Sequence, residues 1–445
     1  MPMRLRLALL LCLACAASAA RADSKTPVES FTLANGLEVI VLSNHRLPAV
    51  SHMMWFRIGG ADDPPGKSGL AHYHEHMMFQ GTAKIKAGEF SEVIGRLGGQ
   101  QNAFTGYDAT SYFVNIAKDK LPLVMEMEAD RIRGLKPSDA DAQKEKEVII
   151  EERRQRVENN PDALLAEQMN AALFRNHPYH TPLIGWMQEM EQLTKQDVLQ
   201  FHQTYYHPNN AILILSGDIT IEEAKPLVQK YYGNLRSQPI PARQWKLEPP
   251  HIAPRHIVMR HVTVKQPSWN RTYAVPSLSY SNSADAMPLF VLAQIIGGGK
   301  SSRLYQSLIV EQKIASAIDA SYNGFTLGPA IFAIEAIPEK TVSPEALEKA
   351  IDAELAALAK NGVNDDELLR AKTVLRAEAI YARDGLSGLG HIMGWIRMVG
   401  LDKETFNRWP DMVDAVTKEQ VNDVLRRALN TNASVTGILL PPEAP

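Results

Sequence analysis

Cysteine, an excess of charge of one sign and long hydrophobic runs are all scarce in this sequence. Only two of its 445 residues are cysteines, Cys12 and Cys15, and both lie among the first twenty positions. The rest of the chain therefore forms no disulfide and offers no thiolate to a metal or a substrate. With 47 basic and 50 acidic residues the net charge is −3, which excludes the basic surface typical of general nucleic-acid binding.

The first 22 residues have the pattern of a secretory signal peptide. Arg4 and Arg6 precede an apolar stretch of 11 residues, Leu7–Ala17, and small residues at 17–19 form a cleavage site. The stretch is well short of the ~20 residues that span a bilayer, and no later segment is long and apolar enough either. We therefore expect an exported, cysteine-free mature protein in the periplasm, with no stable insertion in a membrane.

A proline-rich segment, residues 237–255, divides the remaining chain. Proline stiffens the backbone and removes hydrogen-bond donors, so this segment is expected to be an extended linker. One domain is expected over residues 23–236 and a second over residues 256–445. Near the end of each, a threonine that is a plausible N-cap (Thr194, Thr417) opens a helical pattern, and an Asn-rich turn and an apolar strand follow. This repetition suggests two diverged copies of one fold.

Helical and strand patterns alternate irregularly within the first half. Strands are predicted at 37–42, 52–58 and 110–116, and helices at 89–97, 121–135 and 139–158. Few of these units have the regular βαβ rhythm of a parallel sheet. We expect an α+β fold with two homologous domains, each a mainly antiparallel sheet packed with helices.

The motif His72-x-x-Glu75-His76 carries the strongest chemical signal. Two histidines four residues apart lie on one face of a helix, with their Cβ atoms about 5–6 Å apart, which lets both imidazoles bind one metal ion. Glu75 lies on nearly the same face and is placed to act on a metal-bound water without being a ligand. Zinc is the metal expected, since it lowers the pKa of such a water towards ~7.

A catalytic zinc needs a third protein ligand, and a later helical segment offers four glutamates: Glu145, Glu147, Glu151 and Glu152. Residues seven apart return to the same helix face after two turns, as Glu145 and Glu152 do. Glutamates on a charged helix are also typical of a solvated face. Spacing alone does not choose among the four.

With these motifs the chain resembles the pitrilysin-type zinc metallopeptidases, or inverzincins. It is similar to their short bacterial members and to the zinc-bearing subunit of the mitochondrial processing peptidase. In that family a second helix carries two glutamates seven apart, about 75 residues after the first motif. The resemblance implies His72, His76 and Glu152 as ligands of one Zn²⁺ per chain. It also implies Glu75 as the general base and Glu145 as a supporting carboxylate.

The segment 98–105 resembles the strand at the edge of the family's sheet with which the peptide substrate pairs. The resemblance implies that Asn102, Ala103 and Phe104 bind substrate, which would add to the sheet as an extra strand. On composition alone, a turn residue is the alternative interpretation of Asn102.

The second half departs from the family pattern at two positions. The family usually carries an Arg and a Tyr seven residues apart after a glycine-rich turn, where they hold substrate and stabilise the oxyanion. The aligned residues here are Val310 and Ala317. Family members of this kind are completed by a homologous zinc-less subunit that supplies the Arg and the Tyr. The resemblance therefore implies that this chain is the catalytic subunit of a two-chain enzyme.

The sequence thus predicts a zinc-dependent endopeptidase that hydrolyses peptides bound in extended form, with Glu75 activating a zinc-bound water. An alternative is a non-catalytic assembly or binding subunit that kept the fold and the metal. The intact Glu75 argues against that alternative, because a structural zinc needs no general base. A zinc hydrolase of non-peptide substrates is a third interpretation, which the peptide-binding strand disfavours.

Overall fold

The computed structural model of the protein describes residues 26–383 and 385–443. The predicted signal peptide, residues 1–22, lies outside these residues. The first half builds a six-stranded sheet and the second half a five-stranded sheet. Across the described ranges, no helix combines the length and the hydrophobicity needed to cross a bilayer.

The first half supplies strands β1–β6 and helices α1–α8. The strands are β1 (Glu29–Thr32), β2 (Glu38–Ser43), β3 (Ala49–Phe56), β4 (Gln100–Thr105), β5 (Thr110–Ala117) and β6 (Ala211–Gly217). The helices are α1 (Leu70–Met77), α2 (Glu89–Arg96), α3 (Leu121–Arg133), α4 (Asp139–Arg153), α5 (Pro161–Leu173), α6 (Met187–Met190), α7 (Lys195–Tyr205) and α8 (Ile221–Tyr232).

The second half supplies strands β7–β11 and helices α9–α14. The strands are β7 (Arg255–Arg260), β8 (Ser268–Val275), β9 (Ala315–Asn323), β10 (Ala330–Pro338) and β11 (Ser434–Leu440). The helices are α9 (Ala286–Ile296), α10 (Pro344–Asn361), α11 (Asp365–Tyr381), α12 (Gly388–Met398), α13 (Thr405–Asp414) and α14 (Lys418–Ala428).

Both sheets are mixed but mainly antiparallel. The strand order is β1-β2-β6-β3-β5-β4 in the first sheet and β7-β11-β8-β10-β9 in the second. Among the strand pairs of the described residues, only β2–β6 and β7–β11 are parallel. The α+β class and the two sheets packed with helices confirm the prediction from the sequence. Strands β4 and β9 each form one edge of a sheet, which leaves one side of each without a neighbouring strand.

The predicted threonine N-caps are confirmed in both halves. The Thr194 hydroxyl accepts a hydrogen bond from the backbone N–H of Asp197 at 3.2 Å, and Thr417 does the same for Gln420 at 3.3 Å. Each cap satisfies one of the four N–H groups that a helix leaves unpaired at its start.

The long helix predicted over residues 139–158 is shorter in the structure. Helix α4 ends at Arg153, and a wider π-helical turn follows over Arg154–Glu158. The next helix begins at once, because Asn160 caps α5 and Pro161 occupies its first position. A π-turn is common next to functional sites, and this one begins two residues after Glu152.

One helix of each half packs on the sheet of the other half. Helix α5 packs Leu165 and Met169 against Val435 and Leu439 of β11 in the second sheet. In return, helix α12 packs Leu389, Met393 and Ile396 onto the first sheet, against Met53, Trp55, Ile212 and Ile214. The domain boundaries predicted at residues 236 and 256 stay a prediction, but the two halves are not separate in packing.

The proline-rich linker is held in place by side-chain contacts. The Arg243 guanidinium donates two hydrogen bonds of 2.8 Å to the Asp62 carboxylate and a third, of 2.6 Å, to the backbone oxygen of Asp108. The same group lies 5.0 Å from the ring centre of Trp245. These contacts fix the linker to the segment that follows β3 and to the loop that follows β4.

Candidate metal centre

Helix α1 is positioned by a partly buried aspartate, Asp63. Gly69, which precedes the helix, has φ = +83°, a conformation that glycine adopts without strain. The Asp63 carboxylate accepts hydrogen bonds of 2.8 Å from the N–H groups of Gly69 and Ala71, which caps the helix start. The helix is short and mostly buried, so its polar side chains have fixed directions.

The histidines of α1 divide between two faces. His72 and His76 lie together, with ring centres 4.8 Å apart. His74 points to the other side, where it is fully buried, and its Nε2 lies 3.0 Å from Nδ1 of His202. His74 therefore serves packing and takes no part in the cluster formed by His72 and His76.

Glu152 completes a group of three possible metal ligands with His72 and His76. The ligand atoms of these residues all lie within 4.8 Å of one another. Glu152 Oε2 is 3.5 Å from His72 Nε2 and 3.3 Å from His76 Nε2. In a tetrahedral zinc site with bonds of about 2.1 Å, neighbouring ligand atoms are about 3.4 Å apart. The two distances to Glu152 match this spacing, so these three residues would fit a zinc ion, and no fourth His, Cys, Asp or Glu among the described residues joins the group.

A further carboxylate orients the His76 ring. Glu145 Oε2 lies 3.2 Å from His76 Nδ1, and its other oxygen accepts a 2.8 Å hydrogen bond from Gln80 Nε2. A carboxylate on Nδ1 leaves Nε2 free as the ligand atom, which is the common arrangement behind a zinc-binding histidine. Glu145 and Glu152 meet the same histidine from one helix face, two turns apart. The other two candidates, Glu147 and Glu151, are exposed and bond to neighbours on their own helix.

Glu75 lies beside the ligands and is held by a residue of β4. The Thr105 hydroxyl donates a 2.6 Å hydrogen bond to Glu75 Oε2, which leaves Oε1 free. Burial raises the pKa of the Glu75 carboxyl, and the Thr105 hydrogen bond opposes that shift. A partly desolvated carboxylate with one free oxygen is suited to accept a proton.

The charges around the two imidazoles favour a cation. Burial lowers the pKa of His72, which keeps this ring neutral, as coordination requires. Burial alone would lower the pKa of His76 as well, but the hydrogen bonds to Glu145 and Glu152 raise it. The hydrogen bond to His76 in turn lowers the pKa of Glu152. Two carboxylates thus meet one imidazole at a point where a metal ion would supply the positive charge.

A cavity of about 1440 Å³ opens from this cluster towards the second sheet. Strand β4 borders it on the first half, and Ala317, Asp319 and Glu335 of β9 and β10 border it on the second. Asp319 and Glu335 are direct partners across the two strands. Partial burial and the charges of Asp319 and Asp162 raise the pKa of Glu335. The cavity wall on the second half is therefore acidic.

The three predicted substrate-binding residues lie on β4 at the border of the cavity. The side chain of Asn102 is exposed, and its Oδ1 accepts a 2.8 Å hydrogen bond from the N–H of Ala103. The ring of Phe104, by contrast, is directed towards Trp55 and Trp395, so only the backbone of Phe104 is available to a peptide.

Sequence reasoning missed several residues that surround this cluster. Thr105 was part of the segment used for the resemblance, but only the folded chain brings it to Glu75, thirty positions earlier. Arg156 forms an ion pair of 2.8 Å with Glu152 Oε1. It follows Glu152 by four residues, so helical spacing was an available signal. Nothing local pointed to Gln80. At the departures from the family pattern, Ala317 lines the cavity and Val310 is exposed.

The fold and this cluster define a class: a chain of two α+β halves with a three-ligand metal site on an inverted zinc-peptidase motif. Residues 38–186 match the family described as Insulinase (Peptidase family M16), and residues 192–375 match the Peptidase M16 inactive domain. The zinc protease PqqE of Helicobacter pylori is 32% identical over 356 residues, which cover 79% of each chain. The chain belongs to the M16 peptidase family, which confirms the resemblance drawn from its motifs.

Other relatives and solved structures agree with this assignment. An uncharacterized zinc protease of Mycobacterium leprae is 27% identical over 414 residues, covering 90% of this chain and 88% of that protein. The crystal structure of a protease from Helicobacter pylori has a TM-score of 0.86 at 27% identity, covering 94% of this chain and all of that one. A peptidase M16 inactive domain from Pseudomonas fluorescens shares the fold, with a TM-score of 0.82 at 18% identity over 94% of this chain and 98% of that one.

Proposed function

We propose that the protein is a zinc-dependent endopeptidase that cleaves peptides bound in extended form. The observation that carries this proposal is the convergence of His72, His76 and Glu152, whose ligand atoms all lie within 4.8 Å of one another, with Glu75 beside them and not among the three. A structural zinc site is normally closed by four protein ligands, whereas a catalytic site keeps one position open. The names of the relatives, which are zinc proteases, support the same conclusion.

The roles of the side chains follow from their surroundings. Zinc bound by the three ligands would supply an acidified water and polarise the scissile carbonyl. Glu75 takes up a proton at its free Oε1 and passes it to the leaving nitrogen. Thr105 fixes the opposite oxygen of Glu75, so the free oxygen keeps one direction. Glu145 holds the His76 ring through Nδ1.

The free side of β4 is the proposed peptide-binding element. Its backbone groups bond to an extended peptide whatever the peptide sequence, and the cavity beside it selects among side chains. The acidic wall formed by Asp319 and Glu335 lies in that cavity.

Substitution of single carboxylates tests this proposal. Glu75→Gln is expected to keep one zinc per chain and lose cleavage by at least ~10³-fold, because only the base is removed. Glu152→Gln is expected to lose zinc as well. Glu151→Gln is the matched control, since Glu151 is the exposed neighbour of Glu152 and pairs with Arg154. Measurements of zinc content and of peptide cleavage separate the cases, and full cleavage by Glu75→Gln would refute the proposal.

We further propose that the chain acts as the catalytic subunit of a two-chain enzyme. The support is the pair Val310 and Ala317, which stand where relatives of this type carry an Arg and a Tyr, and Ala317 borders the cavity. A homologous subunit without zinc would supply the two missing groups. Cleavage by the purified chain alone is expected to be weak and to rise when that subunit is added. Full peptidase activity of the chain by itself would contradict this proposal.

The non-catalytic alternative leads to a different outcome in the same assays. If the protein were an assembly subunit that retains its metal, neither the wild type nor Glu75→Gln would cleave peptides, even with a partner present. The periplasmic location is proposed from the pattern of residues 1–22 alone. Fractionation of the native host, with mass spectrometry of the mature N-terminus, tests it.

A further inference from the structure

Strand β4 lies at the edge of its sheet, so no neighbouring strand supports its free edge. It is the last strand of its sheet and pairs only with β5. Side chains of a strand alternate between the two faces of the sheet. Because Thr105 faces Glu75 on the metal side, Phe104 faces the opposite side of the sheet. That opposite side is covered by helix α12 of the second half.

Two rings of α12 hold the Phe104 side chain. The Phe104 ring is stacked on Trp395, with centres 5.8 Å apart and planes inclined by 30°, and on His391, at 5.7 Å and 23°. It also meets the edge of Trp55 at 5.2 Å. Trp395 reaches past the end of the strand as well, because a Cβ atom at Gly106 would lie 3.0 Å from its ring. A single indole therefore covers both Phe104 and the residue after β4.

Helix α12 is itself firmly attached to the first sheet. Its Arg397 guanidinium donates hydrogen bonds of 3.0 and 3.1 Å to the two oxygens of Glu38 on β2. Gly390 and Gly394 bring the helix so close to the sheet that a Cβ atom would lie 2.6 Å from Met53 Sδ and 2.1 Å from the Trp55 ring. The second half thus contacts the face of β4 that carries Phe104, which is opposite the face near the candidate metal ligands.

We infer that Trp395 is a positioning residue for peptide binding: it holds Phe104, and through it β4, in the conformation that pairs with substrate. This inference rests on the proposed role of β4 in binding peptides. Trp395 touches neither the metal ligands nor Glu75, so its loss should leave zinc affinity and the chemical step unchanged. The second half, which lacks a metal motif, would in this way control substrate affinity.

Trp395→Ala tests the inference against a matched control, Trp409→Ala. Trp409 on α13 is also partly buried and stacks on an aromatic ring, Phe325, at 5.4 Å and 27°, but it does not contact β4. The first measurement is hydrogen exchange of the metal-free protein without peptide. The amides of residues 100–106 are expected to exchange about tenfold faster in Trp395→Ala and at the wild-type rate in Trp409→Ala. Trp395→Phe, which keeps a ring, is expected to restore most of the protection.

The second measurement is peptide affinity in a Glu75→Gln background, with zinc affinity measured in parallel. An uncleaved peptide is expected to bind about tenfold more weakly to Trp395→Ala, with zinc affinity unchanged, and in the active protein KM should rise while kcat stays within about twofold. Unchanged exchange over residues 100–106, or faster exchange with unchanged peptide affinity and KM, would overturn the inference. If the wild type binds no peptide, the proposed function fails, and the exchange result alone decides whether Trp395 holds the strand.

Discussion

Removal of the Glu145 carboxylate is expected to weaken zinc binding without removing a ligand. Glu145 lies 3.2 Å from His76 Nδ1, and its side chain is only 14% exposed, so solvent screens the interaction little. A hydrogen bond to a charged group contributes about 1.5–3 kcal/mol, which corresponds to a change of roughly 10- to 150-fold in affinity. Loss of the residue behind a metal-binding histidine typically costs 10- to 100-fold, in the same range. We expect about 30- to 100-fold weaker zinc binding in Glu145→Ala.

A chelator competition assay measures this effect directly. Glu145→Gln keeps an acceptor for the Nδ1–H group but loses the charge, so it should fall between the wild type and Glu145→Ala. Glu147→Ala is the matched control, because Glu147 lies on the same helix, is exposed and accepts a hydrogen bond from Gln143. Equal zinc affinity in Glu145→Ala and the wild type would refute the idea that this carboxylate orients His76.

Three further predictions concern the general base, acid stability and the packing of α12. Thr105→Val should lower kcat about tenfold at unchanged zinc content, because it removes the hydrogen bond that holds Glu75 Oε2. Thr105→Ser should restore kcat, and a kcat of Thr105→Val equal to that of the wild type would contradict this role. Burial lowers the pKa of His52 to about 3 from 6.5, so the folded state binds fewer protons than the unfolded state between these values. The free energy of unfolding should therefore fall as pH drops below 6.5, and this group should account for a loss of about 2 kcal/mol at pH 5. Denaturant unfolding at a series of pH values should show a weaker dependence of stability on pH for His52→Phe than for the wild type. Gly394→Ala should destabilise the protein by about 1–3 kcal/mol in the same assay, since its Cβ would overlap the Trp55 ring, whereas Gly95→Ala, where nothing lies within 4 Å, should not.

Local patterns predicted the elements that local interactions determine. The strand predicted at 110–116 is β5 (Thr110–Ala117), and the helix predicted at 89–97 is α2 (Glu89–Arg96). The pair His72 and His76 was equally accessible, because a spacing of four residues fixes the side chains on one helix face. In each case the signal was a pattern carried by a few neighbouring residues, even though β5 itself pairs with the distant strand β3.

The rest depended on contacts between distant residues. Periodicity alone did not separate Glu152 from Glu147 and Glu151, since the direction of α4 towards α1 is set by the whole first half. The glycines at 390 and 394 were visible as a pair four residues apart, but nothing in the sequence indicated that they pack on Met53 and Trp55. For that reason the sequence did not predict that α12 of the second half packs on the sheet of the first half.

The packing of the two halves links the second half to the metal cluster, although none of the three candidate ligands in the described residues belongs to it. The helix that carries Glu152 continues through a π-turn into α5, and Arg153 ties the two together through a bidentate ion pair with Glu167 of α5. Helix α5 in turn packs on the second sheet through Leu165 and Met169. Both the end of the Glu152 helix and the outer face of β4 are therefore held by the second half. Separating the halves would expose apolar side chains on both elements, Leu165 and Met169 on α5 and Phe104 on β4, and would remove contacts that hold them.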